Sequence, residues 1–224
     1  MRIRFWGVRG SIPSPGPETG KYGGNTACIE LRVGSDDRII IIDAGSGIRM
    51  LGNELMANDL PKGAIKAEIF LSHTHWDHIM GYPFFTPIYI PTTEIKVYGP
   101  VTFEDDPLED VVGGQMKYRY FPVNLGELSS NIEYIRLKED PSIDLGEGYT
   151  LRQNFLTTLF QLSDTGSNMR EKLFARVMIP NLSEICLPPI LRILSTMRPW
   201  PRREKKWRLN RIWHWNSSLL ELIY

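Results

Sequence analysis

The first 152 residues predict a layered α/β domain with loops at the strand ends that carry chemistry. Three observations carry this. Apolar segments alternate between strand and helix periods. Glycine crowds the segments between them. One strand runs straight into "HTHWDHIMG", residues 73–81, with three histidines and an aspartate. A single layered domain of this size has ample length for a core.

The elements follow in order. "MRIRFWG" is a short strand, and "GSIPSPGPETGKYGGN" is loop by its Gly and Pro content. "TACIELRVG" alternates, and "DRIIIIDAG" is a nearly continuous apolar strand, as burial on both faces requires. "GIRMLGNELMAN" spaces its apolar residues as an amphipathic helix. "IKAEIFLSH" and "EIKVYG" are strands. "PLEDVVGGQMKYRYF" holds a helix weakened by Gly113 and Gly114. "NIEYIRL" and "YTLR" return to strand.

The two parts of the chain differ. Of 19 glycines, 18 precede Gln153. Residues 1–152 carry 15 Lys+Arg against 21 Asp+Glu, and residues 153–224 carry 11 against 5. The whole chain is neutral, which favours neither a nucleic-acid nor a membrane partner. No apolar run is long enough to span a bilayer, and no signal peptide is read at the N-terminus. Cys28 and Cys186 make no disulfide framework, and a reducing cytoplasm is the expected location.

The histidine cluster sits where a strand exits. In extended backbone His73 and His75 point the same way, so one cation can take both. Asp77 and His78 follow where the chain turns and can reach a second ion, and Gly81 keeps the backbone close. Imidazole nitrogen and carboxylate oxygen suit zinc, with manganese or iron as alternatives. A lone histidine is usually a satisfied core residue, but three with an acid in six positions have little structural reason. Asp43, in "IIDAGSG", ends the buried strand at the same edge, where it is either an acceptor behind the ligands or the acid of a local turn. Asn25 and Thr26 either line the substrate mouth or cap a loop. Cys28 reads as a small buried residue, and "RREKKW" as solvated surface.

"HTHWDHIMG" resembles the metallo-β-lactamase superfamily. "RFWGVRGSIPSPGPETGKYGGNTACIEL" is similar to its branch near ribonuclease Z and the cyclic-nucleotide phosphodiesterases. The resemblance covers residues 1–152. It implies an αββα sandwich whose N-terminal half is present, with two divalent metal ions at the strand ends. His73 and His75 would hold the first ion, Asp77 and His78 the second, and Asp43 would orient a ligand. It implies hydrolysis of a phosphodiester, in a small molecule or nucleotide, by metal-activated water, with Asp77 a candidate for proton transfer. A thioester or lactam hydrolase is the alternative chemistry.

The family pattern also asks for a third histidine, a bridging aspartate and a late histidine. After His78 the only histidine is His214. One cause accounts for both this gap and the composition break: residues 153–224 are an aberrant tail read in a shifted frame. In that frame the Met178–Ile179 junction must encode aspartate, and the Thr157–Thr158 junction permits histidine. The tail is therefore expected not to complete a second sheet, and the chain to be impaired. The alternatives are a divergent tail, or a non-catalytic remnant.

Overall fold

In the computed structural model, the structure describes residues 1–101, 105–137, 142–154, 159–164 and 175–177. All belong to the unit Met1–Ile179. A six-stranded sheet organises them, with its strands side by side in chain order: β1 (Arg2–Gly7), β2 (Cys28–Val33), β3 (Arg38–Ile42), β4 (Lys66–Phe70), β5 (Glu94–Pro100) and β6 (Asn131–Leu137). The first two pairings are antiparallel and the rest are parallel.

The connections explain the change of direction. Only four residues join β2 to β3, which permits a hairpin. Gly34 (φ 78) and Asp37 (φ 54) supply its left-handed positions. Parallel neighbours need a crossover. The chain supplies α1 (Ile48–Asn58) after β3, α2 (Trp76–Ile79) with several 3₁₀ turns after β4, and α3 (Leu108–Gly113) after β5. The last helix stops at the glycine pair 113–114, where its sequence loses helix propensity.

Alternation along the strands builds two cores. Ile39, Ile41, Ala67, Ile69, Ile95 and Val97 pack with Ile48, Leu51 and Leu55 of α1. Ile40, Ile42 and Phe70 point the other way. They meet Leu145 and Leu151 from a second sheet of order β10 (Ala175–Val177), β9 (Leu159–Asp164), β8 (Tyr149–Asn154), β7 (Ser142–Gly146). This second sheet is antiparallel throughout. The described residues are thus mixed α/β, with few helices, a six-stranded mixed sheet and a four-stranded one. Residues 39–42 need to be apolar at every position because both faces of β3 are covered. Each such side chain contributes about 1.5–3 kcal/mol of burial.

Two strand regions go beyond the sequence reading. The tail was expected not to complete a second sheet; β8 runs to Asn154, and β9 and β10 pair beyond it. In "LFQLSD" the apolar Phe160 and Leu162 alternate with Gln161 and Ser163, a period-two signal short enough to be passed over. β7 was also not expected: "SIDLG" has only two apolar residues, and its strand state comes from pairing with β8. His214, Cys186 and the "RREKKW" run lie outside the described residues.

Candidate metal centre

The parallel register of β3 and β4 brings the site together. Ile42 pairs with Phe70, so both strands leave the sheet at the same edge. Asp43 follows the first and Ser72 the second. The Asp43 N–H donates to the Phe70 carbonyl at 2.9 Å, and its backbone then turns into the left-handed region, φ 61. Aspartate tolerates that conformation better than most residues. The turn sends its carboxylate inward, where Asp43 is 1% exposed.

Two straps hold this turn against the histidine loop. The Ala44 N–H donates to the His78 carbonyl at 2.7 Å, and the Gly81 N–H donates to the Ala44 carbonyl at 2.9 Å. A Cβ on Gly81 would sit 2.0 Å from the Gly45 carbonyl oxygen, so only glycine permits this approach. The loop itself is extended at His75 (ψ 149) and becomes helical at Trp76. This places His73 and His75 before α2, and Asp77 and His78 within it.

The three imidazoles gather. His73 lies edge-on to His75 with ring centroids 4.4 Å apart, and tilted against His78 at 4.0 Å. Beneath them lies Asp43. It accepts the Ser72 N–H at 2.8 Å and lies 2.9 Å from His78 Nδ1. The Ser72 hydroxyl is 2.8 and 2.9 Å from its two oxygens. The same hydroxyl is 2.9 Å from His73 Nδ1 and 3.3 Å from His78 Nδ1. Asp77 Oδ2 accepts the Ser11 N–H at 2.7 Å and stands 3.4 Å from His78 Nε2.

The electrostatics separate two adjacent histidines. Burial drives the His73 pKa down to about 4, and the charge of His78 adds to this. Burial also pulls on His78, but the charge and hydrogen bond of Asp43, with Asp77, raise it above the ordinary value. The difference is contact: Asp43 touches His78 directly and reaches His73 only across Ser72. Burial, and then Asp43 and Glu30, push the Cys28 thiol well up, so it stays an inert core residue.

The donor chemistry fits a divalent ion: imidazole nitrogens and one carboxylate on a single loop, with a buried acceptor behind them. Among the described residues, no group of three or more His, Cys, Asp or Glu side chains converges as a closed ligand set. Asp77, His73, His75, His78 and Asp43 are therefore assembled in one place without being drawn to one point.

Thr26 is corrected as a substrate-mouth residue. It is fully buried, its hydroxyl accepts the Ser46 N–H at 2.7 Å, and its own N–H donates to Ser46 Oγ. Asn25 joins this arrangement through Oδ1, which accepts from Ser46 Oγ at 3.2 Å. Both residues pin the 43–47 turn, the loop-capping alternative. Ser72, Ser11 and Ser46 are the functional positions that sequence reasoning passed over. Only Ser72, two residues beyond β4 and directly before a histidine, left any signal.

No family model matches the chain, and no curated protein matches it. Among the described residues no helix is long and apolar enough to cross a membrane.

Proposed function

We propose that this chain is a metal-dependent hydrolase of the metallo-β-lactamase superfamily, with the αββα sandwich of that family, acting in the cytoplasm on phosphodiester bonds. The observation that carries the reading is the gathering of His73, His75, Asp77 and His78 over the buried Asp43 at the carboxyl edge of parallel strands. Open α/β sheets bind ligands at that edge.

His73 and His75 would hold one zinc ion, and Asp77 and His78 a second, with manganese or iron as alternatives. Bound divalent ions supply a nucleophilic water at neutral pH and polarise the phosphoryl oxygen. The chain's own residues do the rest. Asp43 and Ser72 hold two imidazoles from behind. The Ser11 N–H fixes Asp77 Oδ2, which leaves Asp77 as the carboxylate in reach to take or return a proton. Neutral His73, with its pKa near 4, keeps a lone pair available across physiological pH.

A second reading has its own observation. No histidine follows His78 until His214, so the late ligands of the family pattern are missing. On this reading residues 153–224 are translated in a shifted frame, and the chain as it stands is an impaired remnant. Resequencing codons 150–156 tests the frame. Hydrolysis of bis(p-nitrophenyl) phosphate with zinc or manganese tests the chemistry. The chain as given should turn over poorly, and the frame-restored protein at about 1 s⁻¹ or above with loss on chelation. A restored protein that ignores the phosphodiester but cleaves a thioester would move the assignment to that bond.

A further inference from the structure

We propose that the Ser72 hydroxyl relays the Asp43 carboxylate to His73, so that one buried acid fixes the tautomer of two imidazoles, each with Nδ1–H inward and Nε2 outward. The inference comes from counting protons. A carboxylate is acceptor-only, and a serine hydroxyl carries one hydrogen. Ser72 Oγ lies 2.8 and 2.9 Å from the two Asp43 oxygens. Oxygens that close need a proton between them, and only the hydroxyl can supply it. The hydroxyl therefore donates to Asp43.

The consequence falls on His73. Its Nδ1 is 2.9 Å from the same Oγ, whose proton is already committed. Nδ1 must then be the donor, and it carries the ring hydrogen. The opposite arrangement, with the hydroxyl donating to His73, would leave three oxygens facing one another with no hydrogen. His78 reaches the same state without the relay, because its Nδ1 sits 2.9 Å from Asp43 Oδ2. Asp43 thus accepts three donors: the Ser72 N–H, the Ser72 O–H and the His78 N–H.

Ser72 is buried at 0% exposure, so it is no nucleophile. It is a positioning residue. The ring nitrogen that a histidine offers to a ligand is set by the bond its other nitrogen makes. With both Nδ1 atoms occupied inward, both Nε2 atoms face away from Asp43, that of His78 toward Asp77. The tautomers stand on the hydrogen bonds alone; their value for metal uptake rests on the hydrolase reading above.

The test is the ¹⁵N spectrum of histidine-labelled, metal-free, full-length protein, which reports the tautomer of each ring. Wild type should show Nδ1–H at both His73 and His78. Ser72→Ala should shift His73 toward Nε2–H and leave His78 unchanged, whereas Ser72→Thr should keep the wild-type pattern at both. A wild-type His73 in the Nε2–H form overturns the proposal by itself, as does a His73 that Ser72→Ala leaves unmoved. If Ser72→Ala does not fold, Ser72→Cys replaces it: a thiol is a weak acceptor, and His73 should lose Nδ1–H. Zinc titration of the same proteins separates the two readings. Ser72→Ala should weaken zinc about 10–100-fold. Unchanged zinc affinity with a moved tautomer would remove His73 from the metal and leave the relay intact.

Discussion

The two edges of the parallel strands use their ionisable groups in opposite ways. At the amino edge a cleft of about 660 Å³ is lined by charges. Arg38 meets Glu68 at 2.6 Å, Lys66 meets Glu94 at 3.0 Å, and Lys96 meets Glu133 at 3.6 Å. Four of the five cations lining the cleft face an acid, with Arg32 held between Glu30 and Asp59. At the carboxyl edge the His73 ring lies within 4.4 Å of both His75 and His78, and Asp43 serves Ser72 and His78 at once. The cleft at the amino edge is thus the chemically quiet one. Groups already paired with a counter-ion have less to offer a ligand, whereas the shared acceptor beneath clustered imidazoles is the arrangement on which the proposed site rests.

The contrast can be broken most severely at Asp43. Asp43→Ala leaves three buried donors without their acceptor. It should cost about 3–5 kcal/mol by denaturant unfolding, in the range for breaking a buried polar pair. A loss below 1 kcal/mol would mean that the carboxylate does not organise this edge.

The next effect is in pH. His73 titrates near 4 in the folded chain and at its ordinary value when unfolded. As pH falls the unfolded chain takes the proton first, so the metal-free protein should lose stability between about 6.5 and about 4, on the order of 3 kcal/mol. His78 has the opposite sign. Its pKa is raised on folding, so its contribution is present below the unfolded value and lost as pH rises through the folded one. Unfolding measured across that range should show the acid limb flattened in His73→Asn. An unaltered limb would contradict the assignment.

Smaller effects belong to the amino edge. Glu68→Gln weakens a partly buried pair whose arginine also donates to the Leu145 carbonyl of the second sheet, and should cost about 1 kcal/mol. Glu94→Ala removes one half of an exposed pair and should change stability by less than about 0.5 kcal/mol. A cost at Glu94 comparable to that at Asp43 would erase the distinction between the edges.

Most of the first sheet could be read from the chain because its strands carry strong local signals. "RIIII" is an apolar run, "KAEIF" alternates before its apolar end, and α1 falls on "IRMLGNELMAN" as its spacing predicts. The histidine cluster was legible because its ligands are close in sequence. The supporting residues were not. Ser72 meets Asp43 across 29 positions, and Ser11 meets Asp77 across 66, through a register that no local pattern encodes. Thr26 shows the converse: a polar residue in a glycine-rich loop suggests a mouth, but its hydroxyl is used up inside the turn. β9 escaped notice because its alternation is short.

The central claim is that the carboxyl edge binds metal through its histidines, and zinc stoichiometry tests it most directly. The full-length chain would be loaded with zinc, dialysed, and analysed for metal beside His73→Ala, His75→Ala and Asp77→Ala. Zinc should be retained by the wild type and largely lost from either histidine variant, while Asp77→Ala mainly loses occupancy at one of two positions. No retention in the wild type, or equal retention in His73→Ala and His75→Ala, would contradict the account.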